Sequence, residues 1–312
     1  IECVARNTVI RDREIGGLGV THIVAKLDSF RCNHIYRFLT APYARWHDFA
    51  AYWIGQQLRQ YRPEYAVNQR PHAEIPNQFY GTALSIFYLL RDIKPRFVIS
   101  DLVARKSYKT ISGLVSKQPG VIDKFPHVNF EHTWKELNSK FISSRPRELC
   151  WRIAHHVLPG NAYLYHLHIV RNALGPFCRW PETLSHRFYS CKVIRPLWSI
   201  VENWMSAAAG FPVKVTVDSV IFMQKLNTGG NDDMLSILSS ELRNAIWIQR
   251  NRLKYERKNP DTADVKRLFE HFVKTRILAD HLRLNTDVFA RLWCLGQQSL
   301  ATVVGQHVIV NI

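Results

Sequence analysis

Apolar residues recur every three or four positions through long stretches of the chain, and that spacing predicts helices. Leu149, Ile153 and Val157 share one face of a helix that must stop at Leu158-Pro159, because proline cannot continue a helical hydrogen-bond ladder. Leu197, Val201 and Trp204 mark a second helix, ending at Gly210-Phe-Pro212. Asp232 or Asp233 is placed to cap a longer helix running through Arg257. It carries Leu235, Leu238, Leu242, Ile246 and Leu253 on one side and Arg243, Arg250, Arg252 and Lys254 on the rest, which predicts a basic solvent face. After Asn259-Pro260, Asp261 or Thr262 begins a helix that turns Val265, Leu268, Phe269, Phe272 and Ile277 inward, and Asp287 begins a last one through Leu295. From Val213 to Phe222 the period changes to a brief β-branched alternation, which predicts a short strand. No second strand signal of equal strength accompanies it. The expected fold class is mainly α, with helical bundle-like segments and few or no strands.

The segment from Arg62-Pro63 to Pro76, rich in Pro, Asn and Gln, reads as a linker, and Asn227-Thr-Gly-Gly-Asn231 as a loop. No internal repeat is visible. With 312 residues and 46% hydrophobic content, the chain can bury one large core or two modest ones. It opens on Ile1 in mid-pattern, which reads as a fragment of a longer reading frame. Six cysteines spread over the length, with no secretory leader, predict free thiols in a reducing compartment. Ile153 to Val170 lacks Lys, Arg, Asp and Glu, but its four His, with Pro159, Gly160 and Asn161, argue against a membrane helix.

The formal charge of +17 bears on partners rather than on fold. Lys140 to Arg195 carries nine Lys and Arg against only Glu148 and Glu182. Within and beside this run, Arg171, Arg179, Trp180, Arg187, Tyr189, Lys192 and Arg195 interleave cations with aromatics. That composition suits single-stranded RNA or DNA, cations on phosphates and rings under bases, and Arg250, Arg252 and Lys254 extend the basic set. The blander alternatives are a merely solvated charge run, with Trp180 and Tyr189 as packing residues.

The most specific chemistry is Cys178-x7-His186-x4-Cys191. Two thiolates and an imidazole at these separations can reach around one tetrahedral zinc. A complete knuckle would place another sulfur three positions before Cys178, where this chain has Gly175. The fourth ligand is left open among His166, His168, Cys150 and water. Each ligand loses a proton on binding, so affinity should fall with acid. A metal-free alternative also stands, in which the cysteines are buried and Phe188, Trp198, Trp151 and Pro181 hold the module together.

The residues around this trio occur in a particular order. Trp151-Arg-Ile-Ala-His155-His-Val-Leu-Pro159, Phe177-Cys178, Pro181-Glu-Thr-Leu-Ser-His186-Arg-Phe-Tyr-Ser-Cys191 and Arg195-Pro-Leu-Trp198 follow one another. The set resembles the zinc-binding region downstream of the reverse transcriptase domain in LINE-type (non-long-terminal-repeat) retrotransposons. There the pattern reads W-K/R-x-x-H-x-x-L-P-T, C-x2-C, E-T-x-x-H-x-F-x-x-C, P-x-W. Ala245-Ile-Trp247-Ile-Gln-Arg250-Asn251-Arg252 is similar to the family's W-x-x-R-N helix, and Gly16-Gly17-Leu-Gly19-Val to the G-G-L-G element that closes the polymerase thumb. The resemblance implies a polymerase thumb or connector remnant in 1–60, a helical connector in 61–140, a zinc-binding-like module in 141–200 and a helical region in 201–312. It implies further that the chain holds template RNA or target DNA for an upstream reverse transcriptase domain of the same polyprotein, inside the cell, in nucleus and cytoplasm. No catalysis is expected of the chain itself. The clustered aspartates of polymerase chemistry and the family's Tyr-x-Asp-Asp are absent, and Lys258-Asn-Pro260-Asp261 lacks the following acid of the endonuclease some of these elements carry. A decayed structural remnant and a host-recruited nucleic-acid-binding protein are the alternatives.

Overall fold

The computed structural model describes residues 4–55, 57–61, 78–256, 262–296, 299–305 and 307–312. The expected linker from Arg62 to Pro76, the Lys258-to-Asp261 element and the helix end at Arg257 lie outside them. The chain divides into two compact units, one of residues 5–12 and 17–118, the other built mainly of 13–16 and 119–312. The helix at 130–137 packs into the second unit. There Thr133 Oγ1 donates to the Phe222 carbonyl (2.7 Å) and Ser236 donates to Glu136 (2.9 Å).

The first unit is helical: α1 (Arg6–Val9), α2 (Ile23–Thr40), α3 (His47–Ile54), α4 (Gln78–Ile93) and α5 (Ala104–Val115). α2 is its axis. His22 Nδ1 caps it by accepting from Ala25 N (3.1 Å). Ala25, Cys32, Ile35, Phe38 and Leu39, at helical spacing, turn into a core shared with α4 and α5.

The second unit comprises α6 (Val121–Lys124), α7 (Phe130–Leu137), α8 (Ser144–Ala154), α9 (Asn161–His166), α10 (Arg195–Ala209), α11 (Val217–Phe222), α12 (Asp232–Tyr255), α13 (Thr262–Arg283) and α14 (Thr286–Trp293), with strands β1 (Ala301–Val304) and β2 (His307–Val310). The mainly-α expectation holds. The helices at Leu149–Ile153 and Leu197–Val201 form with those residues buried, and Gly210 ends α10 in the left-handed region (φ 77°). The last helix is capped two residues earlier than expected, by Asn285, whose side chain accepts from Val288 N (2.9 Å). No helix among the described residues is long and apolar enough to cross a membrane.

Two expectations are corrected. Val213 to Phe222 is not a strand. Thr216 Oγ1 accepts from Ser219 N (3.1 Å) and Ser219 Oγ accepts from Thr216 N (2.9 Å), a reciprocal cap that launches α11 and overrides β-propensity. The strands lie instead at the end of the chain, an antiparallel pair with Ala301 opposite Val310 and Val304 opposite His307. α12 is not a helix with a basic solvent face either. It packs against α8, α10, α13 and α14, and buries Ser236, Ser239, Ser240, Arg243, Asn244, Gln249 and Arg250 along with Leu238, Leu242 and Leu253. Arg243 donates to the Val220 (2.7 Å) and Ser219 (2.9 Å) carbonyls, satisfying the open end of α11.

Candidate metal centre

Between α8 and α10 the chain carries little regular structure, and backbone hydrogen bonds position each functional group. Ala173 to Glu182 forms a tight hairpin: Gly175 N donates to the Trp180 carbonyl (2.9 Å) and Glu182 N to the Ala173 carbonyl (2.8 Å), with Leu174 bridging Pro181. Its tip carries Cys178. A π-helical turn, His186–Ser190, follows, in which Cys191 N reaches back to the His186 carbonyl (2.9 Å). Such a turn inserts one residue into the helical repeat and recurs at functional sites. Here it sets His186 beside Cys191, and the Cys191 carbonyl then accepts from Ile194 N (2.9 Å) and Arg195 N (2.8 Å) as α10 begins.

The three ligand-type side chains converge. Cys178 Sγ lies 3.0 Å from His186 Nε2 and 3.5 Å from Cys191 Sγ, and the three atoms all fall within 4.8 Å of one another. A tetrahedral zinc with its usual bond lengths would hold two sulfurs about 3.8 Å apart and a sulfur and nitrogen about 3.5 Å apart. The cluster needs only a slight opening to admit an ion, and it could hold a metal. Burial disfavours protonation of His186, leaving a neutral imidazole, and pushes the Cys191 thiol up to about 11. An entering metal therefore has to displace thiol protons, as the spacing already implied.

None of the protein residues proposed as fourth ligand joins the cluster. α9 and the turn after it carry His166 and His168 to the surface. Cys150, on α8, faces α12, with its sulfur 3.6 Å from Arg243 Nη1. At Gly175, the position of the missing cysteine, an added Cβ would sit 3.2 Å from Glu182 Cβ and 3.3 Å from its Cγ. The side chain of Glu182 has closed over that space.

Glu182 is the centre of a buried ion network that spacing did not disclose. Its Oε1 accepts from Arg187 Nε (3.0 Å) and Arg250 Nε (2.9 Å), its Oε2 from Arg250 Nη2 (2.8 Å) and Asn161 N (2.8 Å). Arg187 also donates to the Pro159 carbonyl (3.1 Å), and both guanidiniums lie near the Trp247 ring (5.4 and 5.6 Å). Burial alone would raise the Glu182 pKa, but the hydrogen bond from Arg250 and the charges of Arg187 and Arg250 hold it below the usual carboxylate range. Arg187 and Arg250 are thus corrected as nucleic-acid contacts: both are buried on a carboxylate and have no free face for phosphate. The E-T-x-x-H and W-x-x-R-N elements meet here as structure.

Tyr189 is half-buried, donates to the Val215 carbonyl (3.2 Å) and is covered by Arg195 (5.2 Å), so its ring serves packing rather than base stacking. Arg195 pairs with buried Glu202 (3.0 Å). Arg171, Arg179, Trp180, Lys192 and Arg252 are exposed, and half-buried Lys254 donates to Asn161 Oδ1 (3.1 Å).

A second motif pair also turns out to be structural. The Gly16 carbonyl accepts from Trp151 Nε1 (3.1 Å) and from His155 Nε2 (2.7 Å). His155 lies between the Trp134 and Trp151 rings (4.9 and 4.2 Å), and burial brings its pKa down to about 4, so the ring is neutral. Gly16 has φ 90°, and a Cβ there would stand 2.8 Å from Trp134 Cε2. The first glycine of G-G-L-G and the W-R-x-x-H element are therefore parts of one contact.

No model of a known protein family matches this chain, and no curated protein sequence matches it. Its class rests on the fold and the site: a mainly helical chain with a Cys/His/Cys cluster able to take a metal.

Proposed function

We propose that this chain is the nucleic-acid-binding region of a LINE-type retrotransposon reverse transcriptase. It holds template RNA or target DNA for a polymerase domain of the same polyprotein, with zinc on Cys178, His186 and Cys191. The observation that carries the reading is the convergence of those three side chains within 4.8 Å from a spacing similar to the family's. The packing of the other motif residues on one another, Glu182 with Arg187 and Arg250, Gly16 with Trp151 and His155, supports it. Zinc would tie the hairpin tip to the π-helical turn and so fix the exposed Arg179 and Trp180. The fourth position, lacking a protein ligand among the described residues, falls to solvent. Exposed Arg171, Arg179, Lys192 and Arg252 supply phosphate contacts, each worth roughly 0.7 to 0.9 in the slope of log affinity against log salt. Catalysis is left to the polymerase.

A second reading, a metal-free module, is favoured by Gly175 and by the complete burial of Phe188 and Trp198, joined by a hydrogen bond from Trp198 Nε1 to the Phe188 carbonyl (2.6 Å). Two measurements separate these readings. Zinc per chain, after purification without added metal, should be about one for the first reading and near zero for the second. Affinity for RNA and DNA oligomers should fall steeply between low and physiological salt; a flat response would remove the nucleic-acid function altogether.

A further inference from the structure

Asn161, the first residue of α9, ties three pieces of chain together. Its backbone N–H donates to Glu182 (2.8 Å), its Nδ2 donates to the Leu174 carbonyl of the hairpin (2.6 Å), and its Oδ1 accepts from Arg250 (3.3 Å) and Lys254 (3.1 Å) at the end of α12. The start of α9, the hairpin at Leu174 and the α12 terminus are therefore neighbours. Large rings stand out on all three: Tyr163 (55% exposed) and Tyr165 (51%) on α9, Trp180 (64%) on the hairpin and Tyr255 (72%) at the end of α12. Single exposed apolar residues are ordinary, but a group of rings in one locality marks an interaction surface.

The charge of this face says what kind of partner it fits. From Asn161 to Pro181 the chain has no Asp or Glu. Glu182, which follows, is buried and spent on two arginines. Arg179 adjoins Trp180 in the chain, and Lys254 Nζ stands 5.7 Å from the Tyr255 ring. Exposed Glu256 directly follows Tyr255. Exposed rings set among cations, with a single acid beside Tyr255, match a polyanion that has flat apolar faces of its own.

We propose that this face is a stacking platform for a single-stranded segment of RNA or DNA, with unpaired bases on Trp180 and Tyr255 and phosphates on Arg179 and Lys254. The proposal rests on the nucleic-acid reading above and deepens it by naming the strand form and the rings. A duplex keeps its base faces stacked internally and offers such rings nothing but its edges.

The test uses the full chain and fluorescence anisotropy with labelled oligo(U), oligo(dT) and a duplex of mixed sequence. Trp180→Ala and Tyr255→Ala should each weaken single-strand binding by roughly 5- to 150-fold and duplex binding by less than about 2-fold. Trp180→Phe and Tyr255→Phe, which keep a ring, should restore most of the affinity. The two oligomers distinguish RNA from DNA as the source of the strand. Wild-type binding that survives both alanine substitutions, or that falls equally on single strands and duplex, overturns the platform and leaves the nucleic-acid reading intact. Binding to phosphatidylserine vesicles through Trp180, with no binding to any oligomer, overturns both. Because all of these side chains are exposed, unchanged thermal melting of the variants separates lost binding from lost fold.

Discussion

Replacing Glu182 by Gln keeps the shape of the side chain and removes its charge, which isolates what the buried carboxylate does. Four hydrogen bonds converge on its two oxygens, at 2.8 to 3.0 Å, three of them from guanidinium nitrogens. The side chains of Glu182, Arg187 and Arg250 are 2%, 0% and 3% exposed. In the Gln variant two guanidiniums face each other with no counter-charge, and Lys254 is close behind them. Breaking a buried pair by removing one partner costs about 3–5 kcal/mol, most of it the penalty of the stranded charge. Against a typical stability of about 5–15 kcal/mol, that loss takes the module containing the metal cluster to the margin of folding. Urea unfolding followed by far-ultraviolet circular dichroism should show the midpoint falling accordingly. Glu148→Gln, which removes an exposed partner of Arg152 on α8, should cost less than about 1 kcal/mol. The pH dependence follows from the same geometry. The folded pKa of Glu182 lies below its unfolded value, so the carboxylate adds stability above the ordinary carboxylate pKa. That stability is lost as pH falls through the depressed folded value, and the Gln variant should lack this acid-sensitive component. If Glu182→Gln costs no more than Glu148→Gln, the buried network is not holding the hairpin to α12, and the reassignment of Arg187 and Arg250 fails with it.

Gly16→Ala should lower the melting temperature, since it forces a left-handed backbone on alanine and sets its Cβ 2.8 Å from the Trp134 ring; a loss of about 2 kcal/mol or more is expected, and an unchanged melt would refute the contact. His155 is held neutral with a folded pKa near 4, below the unfolded value of about 6.5, so protonation of the unfolded state should erode stability by roughly 3 kcal/mol between those pH values. His155→Phe should flatten that window in pH-dependent urea titrations, and an unaltered slope would assign the effect to other groups. Cys191→Ser should abolish any rise in melting temperature on adding zinc and any fall on adding chelator; a wild type indifferent to both would count against an occupied site.

The helices of the second unit could be read from the chain because their signal is local: Leu149 and Ile153, or Leu197 and Val201, need only one another to define a buried face. The metal cluster was readable for a similar reason, as its three ligands lie within fourteen residues, Cys178 to Cys191, joined by one hairpin tip and one π-helical turn. Local chemistry also misled. Val213 to Phe222 has strand composition, yet a cap formed by Thr216 and Ser219 turned it into helix, and the β-branched run around Gly305, less conspicuous in the chain, became the hairpin. The basic residues show the sharpest division. Arg179, Arg187 and Arg250 are the same residue type in similar surroundings, and composition offered all three to phosphate. Arg250 meets Glu182 across 68 positions of sequence, and Arg187 meets it within the same turn of chain; Arg179, at the hairpin tip, stays in solvent. Side-chain type declares a charge wherever it stands, but whether that charge is neutralised inside or offered outside depends on which distant segment folding brings against it.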